Sequence, residues 1–152
     1  MAYFPFFVDL EDKMIMIVGG GDVAERRVRV LLDFGCRLTV ISPALTLGLQ
    51  KVIDHPLITY HEREYRTGDI EACSPFLVIS AAGMETDEQV VRDARELGIP
   101  ANNASDRTQS DFYFPGIARN GEIVCGITCS GSDHKKTADV SAAVRKLIKE
   151  TY

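Results

Sequence analysis

The 152-residue chain is 45% hydrophobic and 26% charged, the mixture of a globular protein, and at this length it buries roughly two-thirds of its unfolded surface without a metal or disulfide staple. A formal net charge of −5 repels phosphates and argues against nonspecific binding of nucleic acid or an anionic membrane. No apolar run approaches the roughly 20 residues of a membrane helix, and "MAYFPFFVDLEDK" lacks the basic start and small-residue cleavage site of a signal peptide, so the expected location is cytoplasmic.

Residues 14–18, MIMIV, are continuously apolar, as expected of a parallel strand buried on both faces. Residues 23–34 read as a helix with Val23, Val30, Leu31 and Phe34 among its apolar positions and Gly35 as its stop. The segment RLTVISP is a second strand closed by Pro43, which completes a βαβ unit. A weak helix over 45–53, a strand over 57–60, a helical turn over 69–72 and the buried strand FLVISAA follow. Thr86 is the predicted cap of a helix running through Leu97, ended by Gly98 and Pro100, and IPANNAS is a fifth strand.

The pattern changes at Phe112. FYFPGIA, RNGE and IVCGITC read as an antiparallel hairpin, with Asn120-Gly121 expected to form a type I′ turn. SGSDHKK reads as a loop and residues 138–150 as a terminal helix, with Val140, Val144, Leu147 and Ile148 on one side. Residues 1–114 are thus expected to form a Rossmann-like α/β domain with a parallel sheet, and 115–152 a hairpin and helix that mediate a homodimer. A two-stranded hairpin is marginal alone, and an apolar edge invites pairing.

Cys36, Cys73, Cys125 and Cys129 contain no CxxC pair, so reduced thiols are the simplest account. Cys125 and Cys129 on one strand would lie about 13 Å apart, too far for one metal. His55, His61 and His134 have no partner at ligand spacing, and no metal site is expected.

Gly19-x-Gly21-x-x-Ala24 matches the dinucleotide fingerprint in its proper context, after a buried strand and opening a helix. Gly19 permits the tight turn, Gly21 admits the pyrophosphate, and Ala24 lets helix and strand pack closely. Amides near Asp22 and Val23 would receive the phosphates. The alternative is a glycine-rich turn that binds nothing. About twenty residues on, where an acid usually accepts the ribose hydroxyls, the chain has Ser42-Pro43-Ala44. Ser42 offers a neutral hydrogen bond, and no Arg or Lys stands at 42–45 to receive a 2′-phosphate, which favours NAD over NADP.

The run FPFFVDLEDKMIMIVGGGDVAERRVRVLLDFGCRLTVISP, followed by NASD, FYFPGIARNGEI and a Ser-Gly loop before a helix, resembles the precorrin-2 dehydrogenase/ferrochelatase family, the dehydrogenase domain of siroheme synthases. The resemblance implies NAD-dependent oxidation of precorrin-2 to sirohydrochlorin, in some members followed by iron insertion. It also implies cofactor contacts at Gly21, Asp22 and Val23 and at Pro43 and Ala44, and a catalytic aspartate at Asp106. A carboxylate there can accept a proton or orient the ring. Read without the resemblance, Asp106 after Ser105 closes an Asx turn, and Asn103 positions the loop or meets substrate.

The chain departs from that family at three places. Ala82-Gly83-Met84 replaces a Thr-Asp-Asp stretch, the Ser130 loop carries an insertion near Lys135 and Lys136, and the sequence ends at Tyr152 where the family continues into a helical domain. The remaining pocket is then expected from a second subunit or another tetrapyrrole-pathway enzyme. Arg107, Arg119, Ser130, Lys135 and Lys136 are candidate partners for the substrate's carboxylates, or, for the cations, solvated surface charge. The rival function is a non-catalytic module that senses NAD(H).

Overall fold

The apolar run MIMIV becomes β1 (Met14–Val18), with Ile15, Met16 and Ile17 wholly buried at the centre of a five-stranded sheet. The computed structural model describes residues 4–129 and 133–151. Around β1 the chain adds α1 (Asp22–Leu32), β2 (Arg37–Ile41), α2 (Leu47–Gln50), β3 (Ile58–His61), α3 (Asp69–Cys73), β4 (Leu77–Ser80), α4 (Met84–Glu96) and β5 (Ala101–Asn103). All five strands are parallel, in the order β3-β2-β1-β4-β5. Strand alternation splits the core between the two faces. Met16, Val18, Ile41 and Val78 pack with Ile70 of α3 and Val90, Val91 and Ala94 of α4, so Ile15, Ile17, Leu38 and Val40 point to the other face. On α1 the buried side chains are Ala24, Val28 and Leu31, at the i, i+4, i+7 spacing of one helix face.

Local chemistry moves several boundaries. α4 starts at Met84 behind the N-cap Gly83, which offers no side-chain bond, so Thr86 lies inside the first turn and is not the cap. The predicted helix over 45–53 shrinks to the single turn of α2, capped by Thr46, whose hydroxyl accepts from the amide of Leu49 at 3.1 Å. Between β3 and α3, Arg63 grips Asp69 through two bonds of 2.7 and 2.8 Å, and the Arg66 amide adds a third.

The Arg63 guanidinium holds the Asp69 carboxyl below its ordinary value. A lowered folded-state pKa gives stability that is present above the unfolded pKa and lost as pH falls through the folded one. Wild type is therefore expected to exceed Asp69→Asn in thermal midpoint at pH 7. The difference should shrink as pH drops below the unfolded aspartate value of about 3.9, and a difference that is as large at pH 2 as at pH 7 would contradict the assignment.

The chain divides into two compact units, Asp9–Phe112 and a second comprising residues 4–8 with Tyr113 onward. The second contains β6 (Gly116–Asn120), β7 (Ile123–Ile127) and α5 (His134–Thr151). β6 and β7 pair antiparallel with Asn120 opposite Ile123, so Gly121 and Glu122 form the loop. Of these, Gly121 alone has positive φ, +55°, which is the glycine-first pattern of a type II′ turn and replaces the expected type I′. α5 begins four residues before the predicted start, because Asp133 caps it by accepting from the Lys136 amide at 2.8 Å. Lys135 and Lys136 are thus in its first turn and not in a loop. Cys125 is on β7 while Cys129 lies beyond its end, and none of the four cysteines forms a disulfide. No helix among the described residues is long and apolar enough to cross a membrane.

Candidate functional site

Parallel strands bring their carboxyl ends to one edge, and the order β3-β2-β1-β4-β5 reverses direction between β1 and β4. Open α/β sheets form their ligand crevice at that switch point. Of the loops at this edge, four bear on the site: Gly19–Gly21 after β1, Ser42–Leu45 after β2, Ala81–Gly83 after β4 and Ala104–Asp106 after β5.

The three glycines have different surroundings. Gly19 has φ +122°, and a Cβ there would collide with the Ala81 carbonyl oxygen, so only glycine lets the turn lie against the loop after β4. A Cβ on Gly20 would likewise collide with the Ala44 carbonyl oxygen. Gly21 has ordinary extended backbone, and a methyl added to it would find no atom within 4 Å. It faces open space. It is also the N-cap of α1 without a side-chain cap, and the first helical bond is Glu25 N to Gly21 O at 2.9 Å. The preceding amides of Asp22, Val23 and Ala24 therefore have no intrahelical acceptor and, with the positive end of the helix dipole, suit a phosphate. The residues fit a dinucleotide pyrophosphate.

The loop after β2 is fixed from several sides. Thr46 N donates to Gly20 O at 2.9 Å, the Thr46 hydroxyl donates to the Glu25 carboxylate, and Arg29 donates to Gly48 O at 2.7 Å. Hydrogen bonds from Thr46 and then Arg29 lower the Glu25 pKa and keep it anionic. Ser42 is buried, its hydroxyl donates to Ala44 O at 2.7 Å, and its carbonyl accepts from Tyr60 Oη at 2.9 Å. Its side chain thus helps to shape the loop, and Pro43 and Ala44 are exposed.

Asp106 caps a 3-10 turn over Arg107–Gln109. Its Oδ1 accepts from the Thr108 amide at 2.8 Å and the Thr108 hydroxyl at 2.7 Å, and its Oδ2 from Gln109 at 3.3 Å. These bonds, the Thr108 hydroxyl first, hold its carboxyl below the ordinary range, so it is a fixed anion at neutral pH and a weak base. Asn103 is buried, and its Oδ1 accepts from the amides of Ser105 and Asp106 at 2.8 and 2.9 Å. Its side-chain oxygen thus positions this loop, the structural one of its two expected roles. Arg107 is exposed, and its charge acts on Asp106.

The structure thus gathers Gly19, Gly21, Asp22, Val23, Ser42, Pro43, Ala44, Asn103, Asp106 and Arg107 in one unit. Lys135, Lys136 and Arg119 belong to the other unit, where Lys135 pairs with Asp139 at 3.2 Å in an exposed i,i+4 bridge. Ser130 lies outside the described residues. Among those residues no His, Cys, Asp and Glu cluster could hold a metal, and His55 serves its loop by accepting from Leu57 N at 3.2 Å. Sequence reasoning missed Asp87, a wholly buried acid behind the crevice that accepts from Ser80, Ala82 and Ser105. Its signal was present: Asp87, Val90, Val91 and Ala94 repeat at i, i+3, i+4, i+7, an acid in an apolar stripe.

A family profile described as "Putative NAD(P)-binding" matches residues 6–116. The chain is 39% identical over 150 residues, 97% of its length, to the "Probable multifunctional siroheme biosynthesis protein HemA" of Ruminiclostridium josui. It is 36% identical over 132 residues, 86% of its length, to "Siroheme synthase 1" of Aeromonas salmonicida. It spans 29% and 28% of the length of those two proteins. Among solved structures, a precorrin-2 dehydrogenase, SirC, shares the fold at TM-score 0.68 and 17% identity, covering 99% of this chain and 71% of that one.

Proposed function

The chain belongs to the NAD(P)-binding family, and from that membership we propose that it is an NAD-dependent dehydrogenase domain that oxidises precorrin-2 to sirohydrochlorin. The observation that carries the reading is that the same carboxyl-end edge of the sheet holds an open helix N-terminus at Gly21, after β1, and the fixed anion of Asp106, after β5. The siroheme names of its relatives supply the substrate class.

Asp22, Val23 and Ala24 would hold the pyrophosphate through their amides, and Pro43 and Ala44 would border the adenosine ribose. NAD is preferred to NADP because residues 42–45 contain no cation for a 2′-phosphate. Bound there, NAD supplies the hydride acceptor. Oxidation removes a hydride and a proton: loss of hydride leaves positive charge on the tetrapyrrole until the proton departs to water, and a preorganised anion beside that developing charge stabilises it without reorganisation. Asp106 is suited to that electrostatic task more than to carrying a proton, since Thr108 keeps it ionised. Arg107, next to it, is the cation of this unit offered to the substrate's carboxylates. The second unit, with its two-stranded sheet, is proposed to join a second copy of the chain.

The test is anaerobic incubation of the chain with precorrin-2 and either NAD or NADP. NADH and sirohydrochlorin should form together, and faster than NADPH. Nucleotide binding with no NADH formed is the result expected of an NAD(H)-sensing module and would overturn the dehydrogenase reading.

A further inference from the structure

One buried carboxylate ties the crevice loops together. Asp87, 0% exposed on α4, accepts at Oδ1 from Ser80 Oγ at 2.5 Å and Ala82 N at 2.8 Å, and at Oδ2 from Ser105 Oγ at 2.5 Å. Its donors come from the end of β4, the loop after β4 and the loop after β5. Both ends of this bridge touch parts of the candidate site. Gly19 lies against the Ala81-Ala82 peptide, where a Cβ would collide with Ala81 O and stand 3.1 Å from Ala82 N. Ser105 immediately precedes Asp106, and the amides of both bond Asn103 Oδ1. A continuous path of contacts therefore runs from the phosphate loop through Ala82, Asp87 and Ser105 to Asp106.

Three donors converge on Asp87, and the two oxygens of one carboxyl group take all three. An apolar residue at this position of the α4 stripe would pack against the sheet without burying a polar group. The acid adds instead a defined spacing between two loops. Ala104 and Ser105 are exposed; Ala104 N bonds Ser80 O on β4 at 2.9 Å, Ser105 N bonds Asn103 Oδ1 on β5 at 2.8 Å, and the Ser105 hydroxyl bonds Asp87 on α4. The Ser105 hydroxyl bond is the one that links this loop to α4.

We propose that Asp87 is a positioning residue that sets where Asp106 stands relative to a nucleotide bound at Gly21, acting through Ser105. This rests on the dehydrogenase reading above. Misplacing a group by about 1 Å through a distant change can cost up to about 100-fold in rate, so the loss belongs in kcat and not in cofactor affinity.

The test compares the full chain with Ser105→Ala, Ser105→Thr and Asp87→Asn. It measures the NAD dissociation constant, kcat and KM for precorrin-2, the thermal midpoint, and amide hydrogen exchange over residues 101–110 with and without NAD. Ser105→Ala should lower kcat about tenfold or more with KM and NAD affinity close to wild type, and speed exchange over 104–109. Ser105→Thr, which keeps the hydroxyl, should restore both. Asp87→Asn keeps one acceptor oxygen and should fall between them.

A Ser105→Ala chain with wild-type kcat and exchange overturns the proposal, as does a kcat loss matched by a fall in thermal midpoint that Thr does not rescue. If wild type itself forms no NADH, the dehydrogenase reading fails separately, and exchange still decides the linkage. NAD-induced protection that reaches 104–109 in wild type but not in Ser105→Ala supports it. Equal protection in the two overturns it.

Discussion

Gly21→Ala is expected to leave the folded chain as stable as wild type and to weaken NAD binding by about 10- to 100-fold. The first half follows from open space: no atom lies within 4 Å of the added methyl, and the backbone at Gly21, φ −82° and ψ −173°, is one any residue adopts. The second half follows because the same space is where a pyrophosphate would meet the amides of Asp22, Val23 and Ala24. Bonds from amides to a charged group contribute about 1.5–3 kcal/mol each, and losing one good contact gives that range. Gly19→Ala should behave in the opposite way. It forces a residue into φ +122° and drives a methyl into the Ala81 carbonyl, so it loses fold stability first, by about 1–3 kcal/mol from the backbone alone. Calorimetric titration with NAD beside thermal denaturation separates the two. A Gly21→Ala chain that binds NAD as wild type does would move the pyrophosphate away from this loop.

Asp106→Asn is expected to lower kcat about 100-fold at nearly unchanged thermal midpoint, equivalent to about 2.7 kcal/mol of transition-state stabilisation. Asn is as good a cap as Asp, so it can still accept from the Thr108 amide and keep the 3-10 turn. The charge is what disappears. Asp106→Ala should lose the same rate and also the cap, at about 1 kcal/mol of stability. If Asn retains wild-type kcat and only Ala loses it, Asp106 is a loop cap and the anion has no part in the chemistry. Because Thr108 keeps its pKa low, the Asp106 contribution should be constant from neutral pH down to about pH 5 and fall only as the carboxyl protonates below the ordinary aspartate range.

Apolar runs and a glycine stop made β1, α1 and β2 legible as elements, but of the apolar positions read on α1 only Leu31 is buried, and the face that packs is Ala24, Val28 and Leu31. Starts governed by backbone geometry were harder. α4 begins behind a glycine with no capping side chain, and the Thr86-Asp87-Glu88 pattern that reads as a cap starts inside the first turn. α5 hides its first turn in polar residues, since Asp133 caps and the Lys pair then counts as helix. Within the site, the glycine fingerprint was readable because its chemistry is local. The roles of Ser42, Asn103 and Asp87 were not, because each depends on which distant atom its side chain meets. Ser42 turns to Ala44, Asn103 to Ser105 and Asp106, and Asp87 across to the loops after β4 and β5.

Transfer of hydrogen from tetrapyrrole to nicotinamide is the central claim, and isotope labelling reads it directly. Precorrin-2 carrying deuterium at the carbon that is oxidised should, in a single anaerobic turnover with the full chain and NAD, yield NADH whose mass is raised by the label, together with sirohydrochlorin. Unlabelled NADH, or bound NAD recovered unreduced beside intact precorrin-2, would contradict the account.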